Sequence, residues 1–147
     1  MISYLVYVSQ AATELNGEAL EAILAESRAY NSRNDVTGVL LFVAGRDGNH
    51  GSFMQLLEGD QEKIDSLRRR IFADPRHHTK IVLEKGTKPS RDFSDWSMAF
   101  KSVAPSDLAS HTQFADLAAT EFIERCQASG APGALKFLCD FWNAEPS

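Results

Sequence analysis

The strongest constraint on the fold is a set of strand-like segments that are apolar on both faces. Residues 2–9, 36–43 and 53–58 are rich in aliphatic, β-branched and aromatic side chains. In each segment neither the odd-numbered nor the even-numbered positions are consistently polar. Successive side chains of a strand point to opposite faces of the sheet. Strands of this kind therefore predict a sheet that is covered on both sides.

Two helix-like segments alternate with these strands. The first begins near Gly17 and has acidic residues in its first turns. The second follows Asp60, a residue type that caps helix N-termini, and ends before Pro75. Shorter strand-like segments at 81–83 and 96–100 complete the order β-α-β-β-α-β-β. This order predicts an α+β fold with a ferredoxin-like βαββαββ sheet, in which the first and third strands are central neighbours and both helices cover one face.

The C-terminal part of the chain offers a cover for the other face. Apolar side chains recur at helical spacing on both sides of a Gly-Ala-Pro-Gly break at 130–133. We therefore predict a sheet domain of residues 1–102 and a helical extension of residues 103–147 that packs on the sheet. The apolar residues of this extension exceed what one sheet face needs, and Phe141 and Trp142 favour a homodimer or a higher homo-oligomer.

The composition narrows the class of protein. The chain has 147 residues, of which 44% are hydrophobic and 24% are charged, and its formal net charge is −5. Because it lacks a broad basic surface, nucleic acid is not expected as a partner. The two cysteines have neither metal-site nor disulfide spacing, which favours a reducing cytoplasm and no bound metal. Without a signal peptide or an apolar run as long as a bilayer, a cytoplasmic protein with no membrane contact is expected.

Three polar side chains fall on positions that the pattern assigns to the core. Tyr7 and Gln55 alternate with apolar residues on strands that should be adjacent, and Asn31 ends the buried stripe of the first helix. A buried amide without partners costs about 1–3 kcal/mol. Two interpretations stay open: a satisfied polar network with no ligand, or a pocket for a heteroaromatic ring edge that carries alternating C=O and N–H groups.

Further candidate residues also have two interpretations. The Asp-Pro-Arg-His-His run at 74–78 is typical of a solvated turn, and it also suits an anchor for a phosphate or ribose. Arg28 fits a surface position or the same anchor from the other side. Trp96 and Met98 lie on one face of the last strand, where the pattern favours core residues. The sequence has no nucleophile–base arrangement, P-loop or GxGxxG motif, which argues against an enzyme.

Five segments in order and at similar spacing resemble the BLUF family, the blue-light sensors that use FAD. They are LVYVS at 5–9, NSRNDVTGVL at 31–40, FMQLLEG at 53–59, DPRH at 74–77 and FSDWSM at 93–98. The resemblance covers about two-thirds of the chain. It implies that residues 1–102 are a flavin-binding photosensor domain, with the isoalloxazine ring held between the two helices on one sheet face.

Carried over by position, the resemblance implies roles for three residues around the flavin ring. Tyr7 would be the electron and proton donor, Gln55 the switching amide between the phenol and the flavin N5/O4 edge, and Asn31 the residue that fixes the C4=O and N3–H side of the ring. The light-driven change is then a new hydrogen bond to the flavin carbonyl, which shifts the absorption to the red. The tail helices are expected to respond through the last strand.

The same comparison implies roles for the remaining site residues. Arg76 and His77 correspond to residues near the ribityl-phosphate end, and Ser27 and Arg28 correspond to helix positions that line the pocket. Trp96 and Met98 match a pair that changes environment on signalling in some members. The connection at residues 44–52 looks longer than the family's usual short turn, and an exposed hairpin tip is expected there.

The resemblance thus predicts a blue-light photoreceptor that is not an enzyme. It would bind FAD non-covalently, with FMN or riboflavin as possible substitutes, and act through an unidentified downstream signalling protein. Two alternatives remain from the residues. One is a light-independent adaptor of the same fold, and the other is a small flavin-dependent oxidoreductase.

Overall fold

The fold is seen in a computed structural model. It describes residues 1–12, 17–43, 50–75, 77–94, 97–103, 108, 117, 122, 125–126 and 133–144, with only the main chain for residues 77–79, 103, 143 and 144. The strands are β1 (Ile2–Ala11), β2 (Thr37–Val43), β3 (Ser52–Gly59), β4 (His77–Lys88) and β5 (Ala99–Val103). The helices are α1 (Gly17–Arg33), α2 (Gln61–Phe72) and α3 (Ala134–Ala144).

The five strands form one sheet in the order β4-β1-β3-β2-β5. β1 runs antiparallel to both β3 and β4, β3 runs antiparallel to β2, and β5 lies parallel to β2. The predicted ferredoxin-like α+β arrangement is confirmed, including the central pairing of the first and third strands.

The two edge strands differ from their predicted bounds. β4 covers twelve residues rather than 81–83, and β5 begins at Ala99 rather than at residue 96. The polar residues at 84–88 concealed the length of β4, because they lack the apolar alternation of a buried strand. An edge strand tolerates such residues, since one of its sides has no neighbouring strand to exclude water.

A bulge in β4 lies beside the centre of the sheet. Val6 of β1 is opposite Glu84, whereas the next residue, Tyr7, is opposite Val82, so Leu83 is an extra residue on β4. As a result Val82 packs on the helix side of the sheet, while Leu83 packs on the opposite side. The bulge also lets Glu84 reach the opposite side, where its Oε2 accepts a hydrogen bond from Tyr4 Oη at 2.7 Å.

One core lies between the sheet and helices α1 and α2, and we call it the helix-side cluster. α2 begins at the predicted cap, since the Asp60 carboxylate accepts from the main-chain N–H of Glu62 at 3.2 Å. The members of the helix-side cluster are Leu5, Tyr7, Ala11, Leu24, Val36, Leu40, Phe42, Phe53, Leu57, Ile64, Leu67 and Met98. The apolar stripes of both helices therefore cover the same sheet face, as the sequence predicts.

The second core, the tail-side cluster, lies on the opposite face. Its members are Val6, Val8, Val39, Leu41, Val43, Met54, Leu56, Phe93, Leu108, Leu117, Phe122, Cys126, Ala134, Phe137, Leu138, Phe141 and Trp142. C-terminal residues thus cover the face that the helices leave bare, as predicted. Phe141 and Trp142 are buried within this cluster, so the prediction of a dimer contact through them loses its basis in exposed surface.

Two predictions fall largely outside the described residues. One is the part of the helical extension before the break at 130–133, and the other is the long connection at residues 44–52. At the end of that connection Gly51 has a φ of +120°, and a Cβ there would lie 2.5 Å from the ring of Phe42. Only glycine fits this position without strain.

Candidate functional site

A cleft opens between α1 and α2 on the helix side of the sheet. It encloses about 700 Å³ of empty space, a volume that includes the solvent at its open mouth. It is lined by Tyr7, Ile23, Glu26, Ser27, Tyr30, Asn31, Leu40, Phe53, Gln55, Leu67, Arg70, Ile71 and Asp74. The walls are mainly apolar, and the polar groups come from both helices and from the two central strands.

Tyr7 and Gln55 form the polar floor of the cleft. They are directly opposite each other in the β1–β3 ladder, so their side chains project from the same sheet face. Tyr7 Oη donates a hydrogen bond to Gln55 Oε1. Both side chains are buried, with 3% and 4% of their surface exposed. The predicted meeting of a phenol and a carboxamide beneath the helices is therefore present.

Met98 occupies the other side of the Gln55 amide. Gln55 Nε2 donates to Met98 Sδ at 3.5 Å, and a thioether is a weak acceptor that cannot donate. The phenol donor and the sulfur acceptor thus select the same amide orientation, with oxygen towards Tyr7 and nitrogen towards Met98. Because the sulfur is a weak partner, the amide nitrogen would gain from a stronger acceptor in the cleft.

Helix α1 contributes Ser27 and Asn31 to the cleft wall. Asn31 is 1% exposed, and its Nδ2 donates to the main-chain oxygen of Ser97 at 2.7 Å. One turn earlier, Arg28 Nε donates to the main-chain oxygen of Met98 at 3.0 Å. Arg28 is exposed and is not among the described residues that line the cleft.

The mouth of the cleft holds charged residues that the sequence analysis did not assign to a site. Arg70 of α2 and Glu26 of α1 form an ion pair of 3.6 Å across the opening, and both side chains are about half exposed. The guanidinium carbon of Arg70 also lies 4.7 Å from the ring centroid of Tyr30. Helical spacing was the available signal for Arg70, since it follows the buried Leu67 at i+3.

The surroundings of Tyr7 favour its neutral form. Burial raises the pKa of its phenol above the ordinary value of 10.0, and the Asp74 carboxylate raises it further because a second negative charge nearby is unfavourable. Tyr7 therefore keeps its proton at neutral pH, and that proton is directed at Gln55 Oε1.

Three predicted site residues cannot be placed in full. Arg76 and Trp96 lie outside the described residues, and His77 is described only as main chain at the start of β4. Among the described residues, no three of His, Cys, Asp and Glu come together as a metal site would require. No helix in the described ranges is both long and apolar enough to cross a membrane.

A flat polar ring fits the donor set of the cleft. The apolar side chains of Ile23, Leu40 and Leu67 can contact the faces of such a ring, and the amides of Asn31 and Gln55 can meet an edge of carbonyl and N–H groups. Comparison with known proteins identifies the ring: residues 2–99 match the family described as sensors of blue light using FAD. The chain belongs to the BLUF family.

Relatives support the BLUF assignment over different lengths. The blue light- and temperature-regulated antirepressor BluF of Escherichia coli (strain K12) is 34% identical over 98 residues, which is 67% of this chain but 23% of that protein. The BLUF protein BlrB, in its dark-state structure, is 29% identical with a TM-score of 0.67, and the match covers 97% of this chain and 96% of BlrB. The ground state of BlsA is 28% identical with a TM-score of 0.72 over 100% of this chain and 91% of BlsA.

This BLUF domain is a blue-light sensor that uses FAD, and it is not an enzyme. The chain spans less than a quarter of the E. coli antirepressor, so the match concerns the sensor part of that relative. The sequence-based assignments of family, cofactor and sensor function are confirmed.

Proposed function

We propose that Tyr7 and Gln55 form the light-driven switch of this BLUF domain, and that Met98 transmits its change to β5. The observation that carries this proposal is the buried chain of contacts from Tyr7 Oη to Gln55 Oε1, and from Gln55 Nε2 to Met98 Sδ. A change at one end of this chain changes which partners the central amide can keep.

Bound FAD supplies a ring system that absorbs blue light and becomes a strong oxidant when excited. Tyr7 would give up an electron to that oxidant while its phenolic proton leaves along the existing hydrogen bond to Gln55 Oε1. When the electron and the proton return to Tyr7, no redox change remains, and the lasting change is the orientation of the amide. If the amide then rotates, Gln55 turns its oxygen towards Met98 and its nitrogen towards Tyr7. Because the sulfur of Met98 cannot donate, the rotated amide no longer holds that side chain.

Asn31, Ser27 and Gln55 are proposed to hold the ring, with support from their positions in the cleft wall. Arg70 at the mouth is proposed to contact the phosphate groups, and Asp74 is proposed to accept hydrogen bonds from the ribityl hydroxyls. Arg76 and His77 are retained as phosphate-side candidates from the family resemblance alone. FMN or riboflavin would meet the same ring contacts, so they are possible substitutes.

Output is proposed to pass through β5 to the opposite sheet face and on to a protein partner. Along this segment Met98 packs on the helix side, while Ala99 packs against the tail-side cluster. Lys101 also reaches that side, where its Nζ lies 5.6 Å from the ring centroid of Phe141 and 5.4 Å from that of Trp142. A movement of β5 would therefore change the packing of α3.

Illumination of the purified protein tests this proposal. A yellow protein whose flavin band shifts reversibly to the red under blue light is expected. Tyr7→Phe should abolish the shift, because the phenolic proton is gone. Tyr4→Phe is the matched control, since Tyr4 lies on the same strand but contacts Glu84 on the other face, and it should keep the shift.

Three other results would overturn all or part of the proposal. A colourless protein would support the light-independent adaptor of the same fold. Bleaching of the flavin with turnover of a reductant would support an oxidoreductase. A Tyr7→Phe variant with an unchanged shift would leave the sensor function in place and remove Tyr7 from the switch.

We further propose that residues 1–102 form the sensor domain and that residues 103–147 are its output extension in a cytoplasmic protein that does not bind nucleic acid. The tail-side cluster supports an output role for the extension, because in this cluster residues of the extension pack directly on the sheet. Hydrogen exchange of residues 103–147 that differs between dark and light would test it. Self-association remains a prediction from the sequence, and sedimentation of the flavin-bound protein would test it.

A further inference from the structure

Helix α1 holds the main chain immediately before β5 by two hydrogen bonds. Asn31 Nδ2 binds the oxygen of Ser97, and Arg28 Nε binds the oxygen of the next residue, Met98. Arg28 and Asn31 are three residues apart, so they project from the same edge of the helix. They act as one clamp on two consecutive carbonyl groups.

Met98 depends on this clamp because the sheet does not fix it. The ladder between β2 and β5 begins at Ala99, which pairs with Val39. Met98 precedes that ladder, yet its sulfur is the acceptor that faces the switching amide of Gln55. The position of this sulfur is therefore set by the clamp and by side-chain packing.

We propose that Arg28 is a positioning residue of the light switch and not a ligand of the flavin. By fixing the Met98 carbonyl, Arg28 keeps the sulfur opposite Gln55 Nε2 and so favours the dark orientation of the amide. The inference rests on the proposed role of Gln55. It differs from the role that the family resemblance implies for Arg28, which is to line the pocket.

The contacts of Arg28 support this assignment. Its described partner is a main-chain oxygen on the far side of the Gln55–Met98 contact. The hydrogen bond is partly open to water, so it gives a moderate preference and not an absolute one. Arg28 therefore shifts the balance between the two amide orientations and does not contact the flavin.

The test compares flavin content, the light-minus-dark absorption change and the rate of dark recovery in Arg28→Ala and Arg28→Lys. Both variants should bind as much flavin as wild type. Arg28→Ala should recover about threefold to tenfold more slowly, the range for the loss of one hydrogen bond, because the 97–98 segment returns less often to its dark position. Arg33→Ala removes the same charge from an exposed position of the same helix and should recover at the wild-type rate.

A double substitution shows whether Arg28 acts through Met98. In a Met98→Leu background the sulfur acceptor is absent, so adding Arg28→Ala should change the recovery rate less than twofold. The same threefold to tenfold effect in both backgrounds would overturn the inference. Lower flavin content in Arg28→Ala but not in Arg28→Lys, with unchanged recovery, would instead make Arg28 a charge contact of the cofactor.

A measurement in the dark separates this inference from the proposed function. Arg28→Ala should speed amide hydrogen exchange at residues 97–99 in the dark, because the clamp is weakened whether or not light drives the switch. If wild type shows no light-induced shift, the proposed function fails, and exchange at 97–99 still decides the clamp. Equal exchange in wild type and Arg28→Ala would overturn the clamp itself.

Discussion

Glu58 offers the sharpest test of what holds the sheet to the segment that carries Met98. Its side chain is fully buried at the end of β3. Oε1 accepts from Thr37 Oγ1 at 2.9 Å and from the N–H of Phe93 at 3.1 Å, and Oε2 accepts from the N–H of Asp92 at 2.7 Å and from Lys88 Nζ. One carboxylate thus connects β2, the end of β4 and the connection to β5.

Glu58→Gln keeps the shape of the side chain but removes its charge and one acceptor. Whichever way the amide turns, its NH₂ group meets donors, either the hydroxyl and N–H on one side or Lys88 Nζ and an N–H on the other. Lys88 keeps Asp92 as a second ion-pair partner, so the cost comes mainly from the donors that face the NH₂ group. A hydrogen bond to a charged group is worth about 1.5–3 kcal/mol, so losing two of them costs about 3–6 kcal/mol. We expect a loss of this size from a total free energy of unfolding of about 5–15 kcal/mol.

Urea unfolding at a fixed flavin concentration measures the loss, since bound ligand stabilises the native state by mass action. With a slope of about 2 kcal/mol per molar urea, the midpoint should fall by about 2 M. Glu21→Gln, on an exposed position of α1, is the control and should change the free energy of unfolding by less than about 0.5 kcal/mol. A loss below about 1 kcal/mol for Glu58→Gln would refute the view that this carboxylate connects the three elements.

Three further outcomes are expected. Burial and the Glu84 carboxylate raise the pKa of Tyr4 to about 12, whereas an unfolded tyrosine ionises near pH 10. The free energy of unfolding should therefore fall as the pH rises from about 10 to 12, and it should fall less in Tyr4→Phe. Glu84→Ala removes the acceptor for Tyr4 and for the main-chain N–H of Leu135, so tail-helix amides should exchange faster, and unchanged exchange would contradict this. Burial raises the pKa of Cys139 to about 11. In a Cys126→Ser background, thiol labelling of Cys139 near neutral pH should therefore be about 100-fold slower than that of an ordinary thiol. If light loosens α3, this labelling should become faster in the light.

The floor of the site could be predicted from the sequence because it follows from periodicity. The side chains of a strand alternate with a period of two, which assigned Tyr7 and Gln55 to one face each. The order of helices and strands then made their strands neighbours. Asn31 followed from the helical stripe of α1. Only the exact register, in which Tyr7 lies opposite Gln55, needed the structure.

The remaining parts of the site depend on contacts that no local pattern records. Arg28 and Met98 are 70 residues apart, and the atom that Arg28 binds is a main-chain oxygen that every residue type carries. Arg70 could not be assigned to the site from the sequence, because its partner Glu26 lies on another helix. The bulge at Leu83 also has no sequence signal such as glycine, although it decides which face Glu84 reaches.

The position of β5 explains why a change at Gln55 should leave the site through this strand. β5 is at the sheet edge and pairs only with β2 over the residues that the structure describes, whereas β3, which carries Gln55, is bonded on both sides. Moving a central strand would break two ladders and repack two cores, and packed cores resist continuous deformation. An edge strand has one ladder to lose. Met98, immediately before β5, packs on one face of the sheet, and Lys101 of β5 contacts the cluster on the other face, so a small shift of this segment changes the packing of both cores.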